Sequence, residues 1–330
     1  MDNPMLRLMA VVALFFFVVP VYGAASFVQR SDVQGFVDDV AVRHGFEREV
    51  LNRWLRQVEI RQDILDAIAR PAEGKPWHEY RPIFVTDSRI KEGVAFWREH
   101  REVLARAERE YGVPAAIITA IIGVETRYGR YRGKYRVMDA LATLGFDYPP
   151  RSTFFRSELE QFLLLSREEG FKPFAITGSY AGAMGTPQFI SSSYRAYAVD
   201  FDGDGVRDLL NNTTDAIGSV ANYLARHGWR RGGAIAHPVA RVTTQSLPER
   251  PPLKPDTTVG QWRRQGVEID AAEDADALAA LIALDNRQGR EYWLGMQNFY
   301  AITRYNHSPL YAMAVYQLGQ AIGERMPTGG

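Results

Sequence analysis

The stretch "VPAAIITAIIGVETRYGRY", residues 113–131, is an apolar run that finishes on a charge. Pro114 suits the opening of a helix, where its missing N–H goes unclaimed, and Gly129 is placed to end it. Glu125 therefore falls in the last turn. A carboxylate there faces the negative end of the helix dipole, and apolar neighbours withhold the solvation its anion needs. Both effects favour the protonated form, which a general acid requires near neutral pH. The competing explanation is a solvated surface Glu beside Arg127 or Arg130.

Around this helix the chain is long enough to bury a large core and to divide into lobes: 330 residues, 46% hydrophobic. Lys plus Arg and Asp plus Glu both number 39, so the positive excess of a nucleic-acid binder is missing. With no cysteine, disulfides, Cys-ligated zinc and thiol nucleophiles are all excluded. Residues 1–25 carry Arg7, an apolar run from Leu8 to Val21 and then Gly23, Ala24 and Ala25, the pattern of a secretory signal peptide; an uncleaved membrane anchor is the alternative. A periplasmic protein without a lipid anchor is expected.

From 28 to 113 the apolar residues recur at helical spacing and predict an N-terminal helical lobe. Pro71, Pro76 and Pro82 in "RPAEGKPWHEYRPIFVT" predict a crossing between helices. Further helices are expected over "TFFRSELEQFLLLSREEGF", closed by Gly170, and "DAIGSVANYLARHGW", capped by Asp215 and stopped by Gly228. Residues 236–291 turn Pro-rich and strand-like, predicting a small inserted α+β lobe, before a helical part over 292–330 that completes the core begun at 114–235.

Two other stretches carry candidate chemistry. In "ITGSYAGAMGTPQFISSSY", residues 176–194, Gly178, Gly182 and Gly185 permit close backbone approach, to a packed helix or to a ligand chain. Ser179, Tyr180 and Gln188 offer hydrogen bonds and a stacking face of the kind a saccharide uses. In "DFDGDGVRDLLNNTTD", residues 200–215, Asp200, Asp202 and Asp204 take positions 1, 3 and 5 of an EF-hand-like loop. Gly205 makes the turn, and Val206 is placed to give its carbonyl. Position 12 is Asn211 rather than a bidentate Glu, and Asp215 is the next carboxylate, a ligand or only a helix cap. A solvated acidic turn is the alternative to calcium.

With "GVAFWREH", "ARAEREYGVP", "GVETRYG", "GSYAGAMGTPQF", "YAVDFDGDG" and "ITRYNHSPLYAMAVYQL" in this order, the chain resembles the membrane-bound lytic murein transglycosylase B family over nearly all its length after the leader. The resemblance implies a mainly α, lysozyme-like (goose-type-like) catalytic core with an accessory helical lobe, an inserted lobe and an EF-hand-like calcium loop. It implies that Glu125 is the sole catalytic carboxylate, that Ser179, Gln188, Tyr305 and Asn306 line a glycan groove, and that Asp200, Asp202, Asp204, the Val206 carbonyl and Asp215 hold a structural calcium. No organic cofactor is implied. Tyr128, Tyr180 and Tyr305 are aromatic faces expected along the groove or, equally, packing residues.

One carboxylate is fewer than ordinary glycosidases use. The substrate's N-acetyl group would then assist, and the sugar's own O6 would close a 1,6-anhydro ring without water. The partner implied is the peptidoglycan glycan strand, with cell-wall synthesis or division proteins as further partners of unknown identity. A lysozyme-type hydrolase would need a second carboxylate, for which Asp139, Asp147 and Glu158 are candidates. A non-catalytic peptidoglycan-binding scaffold would have no use for a carboxylate like Glu125.

Overall fold

A computed structural model describes residues 27–70, 74–243, 247 and 252–326. The leader expected at 1–25 lies outside them. Among the described residues no helix is long and apolar enough to cross a membrane.

The chain divides after Val58. Before that point, α1 (Ser31–His44) and α2 (Arg48–Leu55) bury Val33, Phe36, Val37, Val40, Leu51 and Leu55. Gly45 makes their turn in the left-handed region that its lack of a side chain permits. The Gln34 amide donates to the Val28 carbonyl at 2.7 Å and to Asn52 Oδ1 at 2.9 Å, tying the pair together.

The second unit, from Glu59 on, holds everything else, the helices of 59–113 included. Its first helices are α3 (Gln62–Ile68), α4 (Trp77–Phe84), α5 (Asp87–Glu99) and α6 (Arg101–Tyr111). α4 corrects the expected crossing: Pro76 sits extended as its N-cap and Pro82 lies within it. A proline that near the helix end forgoes a single intrahelical bond, and burial of Trp77 and Tyr80 offsets it.

α7 (Ala115–Thr126) is the helix read from the opening stretch. It is apolar on every face and buried on nearly every face, as a central helix must be. α5, α6, α11 (Thr213–Arg226) and α14 (Pro309–Gly323) surround it. α8 (Val137–Asp147), α9 (Ser152–Glu168), α10 (Ser191–Tyr197) and the short ribbon β1 (Tyr135–Arg136) with β2 (Thr177–Gly178) complete this side.

The inserted lobe is an antiparallel sheet of order β4-β6-β7-β3-β5, built from β3 (Ala236–Val242), β4 (Thr257–Thr258), β5 (Val267–Ile269), β6 (Leu278–Asn286) and β7 (Gly289–Gly295). α12 (Val259–Arg264), opened by a Thr258–Gln261 capping box, packs Val259 and Trp262 onto Val267, Leu281 and Leu294. β7 runs to Gly295, past the expected boundary at 291, and α13 (Gln297–Thr303) then returns the chain to the core.

Gly123 and Gly93 let α7 and α5 close on the Tyr128 side chain. A Cβ on Gly123 would stand 2.6 Å from the Tyr128 hydroxyl and 2.7 Å from its ring. Gly123→Ala should therefore cost about 1–3 kcal/mol through overpacking, lowering Tm by several degrees in calorimetry. An unchanged Tm would mean that this seam yields freely.

Candidate active site

The site is built at the end of α7. The helix stops at Thr126 rather than running to Gly129, because Arg127 and Tyr128 both turn left-handed, with φ of 49° and 61°. Such backbone costs energy in residues with a side chain, and specific bonds hold it. Arg127 forks onto Glu92 through two contacts of 2.7 Å, Tyr128 donates its hydroxyl to the Arg89 carbonyl at 2.8 Å, and Gly129 N–H donates to Thr126 Oγ1 at 2.9 Å. The surface alternative for Glu125, beside Arg127 or Arg130, loses support, since Arg127 is committed to Glu92 and Arg130 lies 3.8 Å from the same carboxylate. Arg89 donates to the Gly123 carbonyl at 2.7 Å, placing a cation on the negative end of the helix.

Glu125 is half-buried. Tyr311, on α14 and 3% exposed, donates its hydroxyl to Glu125 Oε1 at 2.6 Å. Burial, and then the Glu125 charge, push the Tyr311 and Tyr305 hydroxyls well above the ordinary phenol range, so both stay protonated and act as donors. The Tyr305 ring lies parallel to that of Tyr311, centroids 6.3 Å apart, and its hydroxyl donates to the Pro187 carbonyl at 2.6 Å. Thr126 Oγ1 donates to the Thr186 carbonyl at 2.9 Å. Three motifs separated in sequence, around Glu125, Gln188 and Tyr305, are thereby joined.

The glycine-rich stretch packs mainly against the protein itself. A Cβ on Gly178 would meet the Ala183 carbonyl at 2.2 Å, and one on Gly185 the Leu209 carbonyl at 2.3 Å. The resulting loop folds Met184 back onto Phe189 and holds Gln188 at φ 53°. The Gln188 amide donates to the carbonyls of Gly185, at 2.9 Å, and Arg132, at 3.3 Å, leaving its oxygen as acceptor. Ser179 Oγ accepts from Ala181 and Ala183 N–H groups, which leaves its own proton to donate. Tyr180 beside it is half-buried, as is Asn306 in the turn between α13 and α14. Tyr128 is accounted for by packing, its ring against Phe96 and its hydroxyl on Arg89.

Tyr311 and Arg89 escaped the sequence reading. Tyr311 is 186 residues from Glu125, a separation that no spacing rule reaches.

In the acidic loop, Asp200, Asp202 and Asp204 bring carboxylate oxygens within 4.8 Å of one another. The Gly205 N–H, with those of Gly203 and Asp204, holds the Asp200 carboxyl below the usual carboxylate range. The hard oxygen donors and the glycine turns suit calcium. Asp215 is corrected as a helix cap, for Asn212 caps α11 by accepting from Thr214 and Asp215 N–H groups. Fully buried, Asp215 instead accepts from Phe201 N–H at 2.7 Å and Asp208 N–H at 2.8 Å, and it is outside the clustered three. Burial pushes its carboxyl up.

Two of the three candidates for a second carboxylate are engaged elsewhere. Asp139 accepts from Glu59 N–H and Arg136, and Glu158 accepts from the N–H and hydroxyl of Ser192 at the start of α10. Asp147 ends α8.

Residues 28–320 match the family described as "Transglycosylase SLT domain". Membrane-bound lytic murein transglycosylase B of Escherichia coli (strain K12) is 44% identical over 306 residues, 90% of this chain and 84% of that protein. The crystal structure of soluble lytic transglycosylase SltB1 from Pseudomonas aeruginosa superposes with a TM-score of 0.83 at 52% identity, covering 89% of this chain and 98% of that one. The Escherichia coli lytic transglycosylase Slt35 in complex with calcium gives 0.83 at 44% identity, covering 90% and 94%.

Asn212→Ala removes the cap of α11 and a 2.7 Å bond to Asp202. Thermal unfolding should show a loss of about 1 kcal/mol, largely restored in Asn212→Ser, which keeps the cap without setting a further carboxylate against Asp202. Equal Tm values for all three proteins would contradict the assignment.

Proposed function

The chain belongs to the transglycosylase SLT domain family of lytic murein transglycosylases, lyases that act on peptidoglycan, and we propose that Glu125 is the one group that moves the proton in its reaction. The observation that carries this reading is the bond from a buried, protonated Tyr311 to Glu125 Oε1, at the point where three separate motifs meet. With Oε1 held by the phenol, a protonated Glu125 carries its proton on the other oxygen and presents it in a fixed direction.

Glu125 first gives this proton to the oxygen bridging N-acetylmuramic acid and N-acetylglucosamine, and the bond to the anomeric carbon breaks. The muramyl N-acetyl group attacks that carbon from the opposite face and shares the developing charge. Ionised Glu125 then takes the O6 proton, O6 closes on the anomeric carbon, and a 1,6-anhydro ring leaves with the N-acetyl group restored. No water is consumed. Ser179, as donor, and Gln188, as acceptor, with Asn306 and Tyr305, hold the sugar and its N-acetyl group in reacting geometry, and Tyr180 offers a ring face. The engagement of Asp139 and Glu158 elsewhere favours this route over hydrolysis, which needs a second carboxylate.

Asp200, Asp202, Asp204 and the Val206 carbonyl would hold a calcium ion, with Asp215 bracing the loop through the Phe201 and Asp208 N–H groups, and the ion would supply charge neutralisation and stability. As an enzyme of cell-wall peptidoglycan, the protein is assigned to the periplasm.

Glu125→Gln should abolish the anhydromuramyl ends that mass spectrometry finds in digests of purified peptidoglycan, a fall in rate of about a thousandfold or more. Reducing ends from the parent protein would identify a hydrolase, and no release by either would identify a binding module. Tyr311→Phe should lower kcat about tenfold with KM little changed, whereas a raised KM with kcat unchanged would make Tyr311 a binding residue. Chelation of calcium should lower Tm, by about 2.7 kcal/mol of stability where the free ion stood at a hundred times its Kd, and leave the product spectrum unaltered. A Tm indifferent to chelator would remove the calcium site.

A further inference from the structure

A second polar cleft lies where the β6–β7 hairpin of the inserted lobe meets α4 and α14, and it shares no residue with the site around Glu125. Its volume is about 390 Å³. Arg81, Asn286, Glu291, Trp293, Gln317 and Gln320 line it, five planar hydrogen-bonding side chains and one half-buried indole. They are set in place by one another. Arg81 Nε donates to Gln317 Oε1 at 2.6 Å, Asn286 to Glu291 Oε2 at 2.6 Å, the Trp293 indole N–H to Glu291 Oε1 at 3.2 Å, and Gln320 to the Tyr316 hydroxyl at 3.0 Å. Tyr316 meets the Trp293 ring edge-on, centroids 6.2 Å apart, which fixes the indole plane.

We infer that this cleft is a saccharide-binding site, separate from the catalytic groove, that takes a neutral N-acetylglucosamine unit of a glycan strand. Amides, a carboxylate and a guanidinium present both donors and acceptors, as sugar hydroxyls require, and an indole offers the apolar face on which a pyranose ring lies. Charge selects against other ligands. Glu291 and Glu324 outweigh Arg81 in the lining, so an anionic phosphate or phosphopeptide is disfavoured, while a neutral polyol gives up little solvation there. The indole also borders a recess of about 480 Å³ on the β3 side, which shares Glu291 and Trp293 with the cleft. A chain longer than one sugar therefore has room to continue past the ring. The binding does not depend on the proposed role of Glu125, but it would tether the enzyme to the polymer it cleaves.

The test uses the Glu125→Gln protein, so that binding is read whether or not the parent cleaves, with chitotetraose as the probe. The Trp293 indole N–H signal, identified by its disappearance in Trp293→Phe, should shift saturably in two-dimensional NMR. Retention on insoluble peptidoglycan should weaken roughly tenfold in Trp293→Ala and in Gln320→Ala, an exposed position whose change leaves the fold intact, and should be largely kept by Trp293→Phe. An indole signal that stays still at saturating sugar, or retention unchanged in Gln320→Ala and Trp293→Ala, would overturn the inference.

Discussion

The last turn of α7 ends inside the protein, where its backbone carbonyls cannot turn to water. Much of the site follows from how that end is satisfied. Arg127 N–H returns to the Gly123 carbonyl and Tyr128 N–H to that of Ile122, with both residues left-handed, while Arg89 adds a cation to the Gly123 carbonyl. The sharp reversal frees Thr126 Oγ1 to bond the Thr186 carbonyl and leaves Glu125 beside Tyr311.

Strain gathers at the same place. Among the described residues, the only ones other than glycine with positive φ are Arg127, Tyr128 and Gln188, two following Glu125 and the third on the loop joined to it through Thr126. Each costs of the order of 1–3 kcal/mol, which the buried core around α7 outweighs. Rigid packing thus pre-positions the polar groups, as a reaction that relies on geometry more than on many charged groups demands.

What the sequence made legible was what local rules govern. The apolar run of α7, its Glu in the last turn, the glycines at Gly170 and Gly228 and the strand-like texture from Ala236 all follow from periodicity and turn chemistry. One mismatch comes from rivals of nearly equal local quality: Asn212 and Asp215 both suit a cap, and only the fold shows that Asp215 is used by Phe201 and Asp208. Pro82 sits inside α4 against its tendency to break helices because burial of Trp77 and Tyr80 is a tertiary effect. The partner of Glu125 was illegible for the same reason, since Tyr311 in its sequence is one aromatic among many. The family resemblance carried Ser179, Gln188, Tyr305 and Asn306, which local chemistry alone did not separate from packing residues.

The central claim is that a single carboxylate, aimed by a phenol, closes a ring within the sugar instead of delivering water. Digestion of peptidoglycan in water enriched in the heavy oxygen isotope, with mass spectrometry of the first products formed, tests it most directly. Muramyl ends of anhydro mass with no isotope taken up are expected. Heavy oxygen at the anomeric carbon of those ends would contradict it.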